Sequence, residues 1–168
     1  MAKANSQGEK QESEKKEPVK IRADWHIPYL HSAGNHASKF FQELKENQRI
    51  MGSRCPSCKK VLIPPRAFCE RCFVPIDDWV QVADQGEIMA LSINYMEYEG
   101  LPKPPYGLAF IRLDGADTNI LHFLGGVDLK DPKKATSKLK VGARVKAVWK
   151  EKAKREGRMT DIRYFKPV

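Results

Sequence analysis

Apolar residues near the start of the chain recur at the spacing of a helix. Four of them lie within eight positions, separated by polar side chains: Ala37, Phe40, Phe41 and Leu44. This spacing places them on one face of a helix. Asn35 stands just before them as a candidate N-cap, so the pattern predicts a short amphipathic helix that ends near Asn47.

Farther along the chain the apolar spacing changes to every second residue. After Gly86, one face of a strand is formed by Met89, Leu91, Ile93 and Tyr95. Four more β-rich runs follow between Gly, Pro and Asp residues, over 108–113, 119–124, 144–150 and 161–165, and no convincing helix lies between the runs. Because closure removes the exposed edges of a short sheet, the five strands predict a small antiparallel barrel and a mainly β fold.

The first part of the chain lacks the apolar side chains that a folded segment needs. Positions 1–22 are rich in Lys, Glu, Gln and Ser, so we expect a disordered tail there. An apolar cluster follows at Trp25, Ile27, Pro28, Tyr29 and Leu30, which docks either on this protein's own core or on a partner. The predicted organisation is a tail at 1–22, a docking arm and helix at 23–48, a cysteine module at 49–77 and a barrel at 78–168.

All four cysteines of the chain belong to two Cys-x-x-Cys pairs. The pairs are Cys55 with Cys58 and Cys69 with Cys72, and ten residues separate them. Each pair can fold into a tight knuckle, and two knuckles complete a tetrahedron around one metal ion at about 2.3 Å per Zn–S bond. A thioredoxin-type redox site would have a single pair. We therefore predict one structural zinc ion, with iron as the alternative metal, because a closed four-thiolate site leaves no position for catalysis.

Length and composition agree with this organisation. The chain has 168 residues, 41% of them hydrophobic, which is enough for one core or for one domain with a small module. No stretch approaches the roughly 20 apolar residues that span a bilayer, and the first residues are polar. We expect a cytoplasmic protein, and in that reducing compartment cysteines bind metals more often than they form disulfides.

The formal net charge of +9 is concentrated at one end. From Lys138 to Val168, eleven Lys and Arg residues face three acidic ones, a balance of +8. This favours a phosphate-bearing or polyanionic ligand, although such charges also serve as a solvated face of a strand.

The order of these features resembles one known family. The carrying motifs are Arg49-Ile50-Met51-Gly52-Ser53-Arg54-Cys55, Pro64-Pro65-Arg66, Gly86, Gly125-Gly126-Val127-Asp128, Lys140-Val141-Gly142 and Tyr164-Phe165-Lys166-Pro167. In this order they resemble the acyl-CoA-associated zinc-ribbon and OB-fold family over about 37–168. The resemblance implies a rubredoxin-like zinc ribbon followed by an OB-fold barrel. Two positions depart from it, because Lys59 and Phe73 stand where a glycine commonly follows each cysteine pair.

The resemblance also implies a function. Members of that family are generally non-catalytic partners of thiolase-fold enzymes, and the chain looks like the small subunits of thiolases that degrade aromatic compounds. We therefore expect an accessory subunit of a hetero-oligomer in acyl-CoA metabolism, which shares a CoA thioester with the catalytic subunit and does no catalysis alone. Because CoA carries phosphates, candidate contacts are Arg66, Lys150, Lys152 and Arg155, with Lys154 beside them and Trp149 or Tyr106 covering the adenine or acyl group.

Two other functions compete with this one. OB-fold barrels also bind single-stranded nucleic acid on aromatic residues beside a basic groove. Here only Trp149 lies among the basic residues, so this function is the alternative and not the main expectation. An independent enzyme needs a nucleophile with a positioned base. His26, His31 and His36 fall on the predicted N-terminal arm, and His122 lies in an apolar strand run, where a hydrogen-bonded structural role is favoured.

Overall fold

The computed structural model describes Arg22 and residues 29–168. Most of the predicted tail and of the apolar docking arm, including Trp25, Ile27 and Pro28, therefore lies outside the described residues. Tyr29 and Leu30, the two described residues of that arm cluster, are exposed. Among the described helices, none has the length and apolar content needed to cross a membrane.

The predicted amphipathic helix is present as α1, Gly34–Asn47. Its buried side chains are Phe40 and Leu44, and the helix ends at the predicted residue because Gln48 turns into the left-handed conformation. The predicted N-cap is wrong, since Asn35 lies inside the first turn and the helix begins one residue earlier. Its first turn also contains His36, which is therefore a helix residue and not part of an extended arm.

Two small sheets surround the cysteines. One has the order β2-β1-β5 and is antiparallel, with β1 at Ile50–Arg54, β2 at Val61–Leu62 and β5 at Asp78–Val82. The other pairs β3, Phe68–Cys69, with β4, Val74–Pro75. Cys55 and Cys58 lie in the turn between β1 and β2, and Cys69 and Cys72 lie at the end of β3 and in the turn before β4, so the two sheets form a ribbon.

The predicted five-stranded barrel is confirmed. Its strands are β6 at Gln85–Asn94, β7 at Tyr106–Leu113, β8 at Asn119–Leu124, β9 at Arg144–Trp149 and β10 at Ile162–Pro167. They close in the order β10-β8-β7-β6-β9, and every neighbouring pair is antiparallel except the parallel pair of β8 and β10. A closed five-strand barrel of this kind is consistent with an OB fold.

Strand β6 contains an irregularity that its predicted two-residue period did not include. The register with β7 shifts between Ile88 and Ala90, which adds Met89 as an extra residue. Gly86 and Ile88 are buried before this bulge, whereas Leu91 packs on the core after it. A bulge changes which residues face inward, and a strict two-residue alternation cannot reveal it.

A helix that the apolar spacing did not predict connects β8 to β9. This helix, α2, spans Pro132–Lys138 and begins with Asp131, whose carboxylate accepts from the backbone N–H groups of Lys133 and Lys134. It buries Ala135. One buried residue is too little for a helical period, but Asp-Pro at a helix start is a recognisable signal.

The ribbon and the barrel share one core and a set of hydrogen bonds. Phe40, Ile63 and Phe165 belong to the same cluster of buried side chains, so α1, the ribbon and the barrel pack together. The backbone N–H of Val61 donates to the Asp117 carboxylate at 2.8 Å, and the N–H of Ile63 donates to the Thr118 hydroxyl at 2.7 Å. The β7–β8 loop thus attaches the first half of the ribbon to the barrel.

Candidate functional site

The four cysteine side chains converge on one point. Their Sγ atoms all lie within 4.8 Å of one another, and those of Cys58 and Cys69 are 3.9 Å apart. Four sulfurs at about 2.3 Å from one zinc ion would be about 3.8 Å from each other. A disulfide needs a separation of about 2.05 Å, so this arrangement is a metal-binding geometry. The cysteines are positioned for one zinc ion, with Cys55 and Cys69 buried and the other two half-buried.

Each knuckle is closed by a backbone hydrogen bond across its cysteine pair. The N–H of Lys59 donates to the carbonyl of Cys55 at 3.0 Å, and the N–H of Phe73 donates to the carbonyl of Cys69 at 2.8 Å. Both donors take the left-handed conformation, with φ of 62° at Lys59 and 54° at Phe73. For a residue with a Cβ this conformation costs about 1–2 kcal/mol. Lys59 and Phe73 therefore stand at left-handed positions, which glycine would adopt without this cost.

A zinc ion at this centre would have a structural role. Four thiolates would fill its coordination shell and leave no position for a substrate. The surrounding cluster has only four buried side chains, Cys55, Leu62, Cys69 and Ile76. Because two of these are cysteines, the metal would be the main stabilising element of this part of the ribbon.

A basic groove lies where β9 ends and β10 begins. It has a volume of about 630 Å³ and is lined by Trp149, Lys150, Glu151, Lys154 and Arg163. Lys154 forms an ion pair with Glu151 at 2.8 Å. Arg163 was not a candidate from the sequence, because only the pairing of Ile162 with Trp149 brings the start of β10 beside the end of β9.

The candidate CoA contacts do not all meet in this groove. Lys150 lines it, whereas Lys152 is exposed on the turn that follows β9, and Arg66 lies in the ribbon as an ion-pair partner of Glu70. Arg155 has a different use. Its Nε donates to the carbonyl of Lys150 at 3.0 Å, and its terminal nitrogens donate to the Lys45 carbonyl at 3.3 Å and to Gln48 Oε1 at 2.5 Å. Arg155 therefore fastens the end of α1 to the barrel.

The two aromatic candidates differ in accessibility. Trp149 is half-buried in the groove wall, with its indole N–H 3.5 Å from the Asp84 carboxylate. Tyr106 is only 6% exposed and packs edge-to-face on Phe123, with 6.3 Å between the ring centroids. The suggestion that Tyr106 covers a ligand is therefore wrong, because its ring is part of the barrel packing.

Part of the positive charge on β9 is already paired. The Arg144 guanidinium donates two hydrogen bonds to the Asp114 carboxylate, which hold the pKa of Asp114 below its usual value. Lys146 lies 3.8 Å from the carboxylate of Asp84. In the groove Lys154 is likewise paired with Glu151, so Lys150 and Arg163 supply its remaining positive charge.

Two of the histidines have structural roles. His36 Nε2 lies 2.9 Å from the Ile76 carbonyl, and its ring stacks on Trp79 at 5.0 Å. His122 is buried and bonds at Nε2 with the Met159 carbonyl, at 3.1 Å, while its Nδ1 accepts from the N–H of Phe123 at 2.9 Å. Burial lowers the pKa of His122, which keeps the ring neutral. The structural role predicted for His122 is confirmed.

Comparisons with known proteins match both halves of the fold. The model of the ChsH2 rubredoxin-like zinc ribbon domain matches residues 43–78, and the model of the ChsH2 C-terminal OB-fold domain matches residues 79–150. A crystal structure of a DUF35-family protein of unknown function from Sulfolobus solfataricus is 27% identical, with a TM-score of 0.59 over 80% of this chain and 87% of that one. The structure named Ltp2-ChsH2(DUF35) aldolase is 23% identical, with a TM-score of 0.57 over 82% and 98%. At that identity the second match establishes the fold.

Proposed function

Because this chain belongs to the ChsH2 family of zinc-ribbon and OB-fold proteins, we propose that it is a non-catalytic accessory subunit of a thiolase-fold enzyme in acyl-CoA metabolism. It docks on the catalytic subunit and assists the binding or transfer of a CoA thioester, while the partner supplies the nucleophile and the base. The observation that carries this proposal is the family match over both the ribbon and the barrel. The similar structure named Ltp2-ChsH2(DUF35) aldolase supports a catalytic partner.

The chemistry of the described residues supports a borrowed active site. The four cysteines converge on one metal position. His36 and His122 are each bonded to a backbone carbonyl, so neither is placed to activate a nucleophile. The four cysteines, His36 and His122 are therefore assigned structural roles, and in this proposal the partner supplies the catalytic groups.

The basic groove is the proposed contact for the CoA phosphates. Lys150, Lys154 and Arg163 present three cations around one space of about 630 Å³, and charge-assisted hydrogen bonds to phosphate are the strong ones. Trp149 offers an aromatic ring beside them for the adenine. In this proposal Lys152 contacts CoA from the rim of the groove, and Arg155 holds the groove wall through its hydrogen bond to the Lys150 carbonyl. Arg66, which lies in the ribbon, makes a separate contact.

The accessory role is tested by reconstitution. The full chain, tagged at its C-terminus, is coexpressed with a thiolase-fold protein, chosen from the neighbouring reading frames or from chains that copurify with it, and the complex is isolated by affinity and size-exclusion chromatography. Thiolytic activity is then measured with and without the chain, using several acyl-CoA substrates. Because the chain resembles subunits of aromatic-degrading thiolases, benzoylsuccinyl-CoA is included. We expect a stable complex with activity that requires the chain, and a catalytic subunit that is fully active alone would refute the accessory role.

The groove is tested by titrating the reconstituted complex with CoA in a calorimeter. Lys150→Ala, Lys154→Ala and Arg163→Ala in combination should weaken CoA binding at least about tenfold, which corresponds to about 1.4 kcal/mol. A matched control removes three exposed lysines of α2, at positions 133, 134 and 138, which makes the same change in net charge. Equal weakening by both variants would indicate a general charge effect and would exclude the groove as the CoA site.

Single-stranded nucleic-acid binding is the alternative that the groove also favours, because it combines Trp149 with three cations. Its surroundings argue against it, since Arg144 and Lys146 on the same strand are paired with Asp114 and Asp84. The distinguishing measurement is oligonucleotide binding at two salt concentrations. Tight binding that weakens steeply with salt, without any affinity for CoA, would favour this alternative.

A further inference from the structure

Two exposed phenylalanines lie together on the second half of the ribbon. Phe73 is 76% exposed and Phe68 is 47% exposed, and their rings meet edge to face with 6.2 Å between centroids. Phe68 begins β3, and Phe73 closes the second knuckle directly after Cys72. We call this pair the aromatic tip. Exposed aromatic residues that lie in contact with each other mark interaction surfaces more often than isolated ones do.

The fold itself does not account for Phe73. Its backbone has a φ of 54°, the left-handed conformation that glycine adopts without strain. The buried cluster around the cysteines, which has Leu62 and Ile76 as its other members, does not include this ring. The residue thus combines backbone strain with an apolar side chain in water. Residues held in such conformations are concentrated at functional sites, and the exposed ring is what distinguishes Phe73 from Lys59, which has the same backbone conformation.

Charged residues around the knuckles indicate what kind of surface the tip meets. Lys59, Lys60 and Arg71 are exposed, whereas Glu70 is paired with Arg66. A zinc ion with four thiolates carries two net negative charges. Over residues 55–75, four Lys and Arg residues and one Glu give +3, so the positive charges still exceed the negative ones by one when these two are counted. The complementary surface is therefore an apolar pocket with an acidic rim.

We infer that the aromatic tip is the anchor by which this chain docks on its catalytic subunit, with Phe73 and Phe68 inserted into an acidic-rimmed apolar pocket. This inference rests on the proposed function, since it names the docking surface of that complex. Aromatic side chains that enter a pocket are the residues that dominate binding energy in protein complexes. Docking would also compensate for the strain at Phe73, which the free chain bears alone.

The structure supplies a matched pair of variants for the test. Phe73→Gly removes the ring and relieves the left-handed strain, and Lys59→Gly relieves the same strain at the equivalent position of the first knuckle. Both variants should raise or preserve the melting temperature of the free chain. The affinity for the catalytic subunit recovered by coexpression, measured by biolayer interferometry, should fall at least about tenfold for Phe73→Gly. It should stay within about threefold for Phe110→Ala, which removes a partly exposed phenylalanine from the barrel.

The outcomes separate this inference from the proposed function. If wild-type chain binds the catalytic subunit and Phe73→Gly binds equally well, the tip is not the anchor, while the accessory role stands. If the wild-type chain binds no thiolase-fold subunit, the proposed function fails. Phe73→Asn serves as a second variant, because asparagine tolerates the left-handed conformation, and it should weaken binding to a similar extent. Reversing the three exposed charges to glutamate should slow association, and an unchanged association rate would exclude the acidic rim.

Discussion

Removal of the metal should unfold one half of the ribbon and leave the other half attached to the barrel. The second half, from about Arg66 to Pro75, depends on burial of Leu62 and Ile76, which are 5% and 0% exposed. Two such side chains contribute about 3–6 kcal/mol. Fixing the backbone of roughly ten residues costs about 10–20 kcal/mol. A structural zinc ion contributes about 10–16 kcal/mol, which closes this difference.

The first half of the ribbon has other support. The backbone N–H groups of Val61 and Ile63 donate to side chains of the β7–β8 loop, and both residues belong to the main core cluster. These contacts do not involve the metal. After metal removal, Val61 and Ile63 should therefore remain ordered, while the second knuckle opens.

Hydrogen exchange read by NMR measures this difference residue by residue. In the metal-free protein, or in Cys69→Ser, the second knuckle opens and the amide of Phe73 loses its hydrogen bond to the carbonyl of residue 69. This amide should therefore exchange at least a hundredfold faster. The amides of Val61 and Ile63 should keep most of their protection. Unchanged exchange at Phe73 would show that the metal is not needed, and equal acceleration at Val61 would show that ribbon and barrel unfold together. Metal analysis and a visible absorption spectrum of the untreated protein distinguish zinc from iron, because of these two metals only iron absorbs visible light in a four-cysteine site.

Two further predictions concern the barrel. Burial lowers the pKa of His122, so between its folded pKa and the unfolded pKa of about 6.5 the unfolded chain binds more protons than the folded one. The free energy of unfolding in urea should therefore be constant above about pH 7 and fall as the pH drops through this window. His122→Gln should lose this part of the pH dependence. Gly86→Ala would place a Cβ 2.2 Å from the Arg112 carbonyl oxygen. Because this oxygen belongs to the backbone of the paired strand and cannot move aside, the substitution should destabilise the protein by about 3 kcal/mol or more. Gly107→Ala meets only the Leu124 side chain, at 3.1 Å, and should cost less; equal melting temperatures for the two variants would contradict this reasoning.

Features that depend on neighbouring residues could be predicted from the sequence. The apolar spacing around Phe40 and Leu44 identified α1 and its last residue, since a helix face is set by residues three and four apart. The spacing of Cys55, Cys58, Cys69 and Cys72 indicated one metal position for the same reason, because a knuckle is a local turn. Strand periods and turn residues gave all five strands of the barrel. The short helix α2 escaped this approach because it buries a single residue, Ala135.

What only the tertiary structure decided depends on partners far apart in the chain. Arg155 was a candidate for phosphate binding from the sequence, but in the structure its hydrogen bonds to Lys45 and Gln48 attach α1 to the barrel. Tyr106 was a candidate for stacking on a ligand, but its ring is buried in the barrel. The groove exists because β9 and β10 are paired in one particular register. The resemblance to the family indicated that Phe73 stands where glycine is common, but strain and exposure are properties of the folded chain. Short-range spacing determines the elements, whereas register and packing determine which side chains remain free to bind.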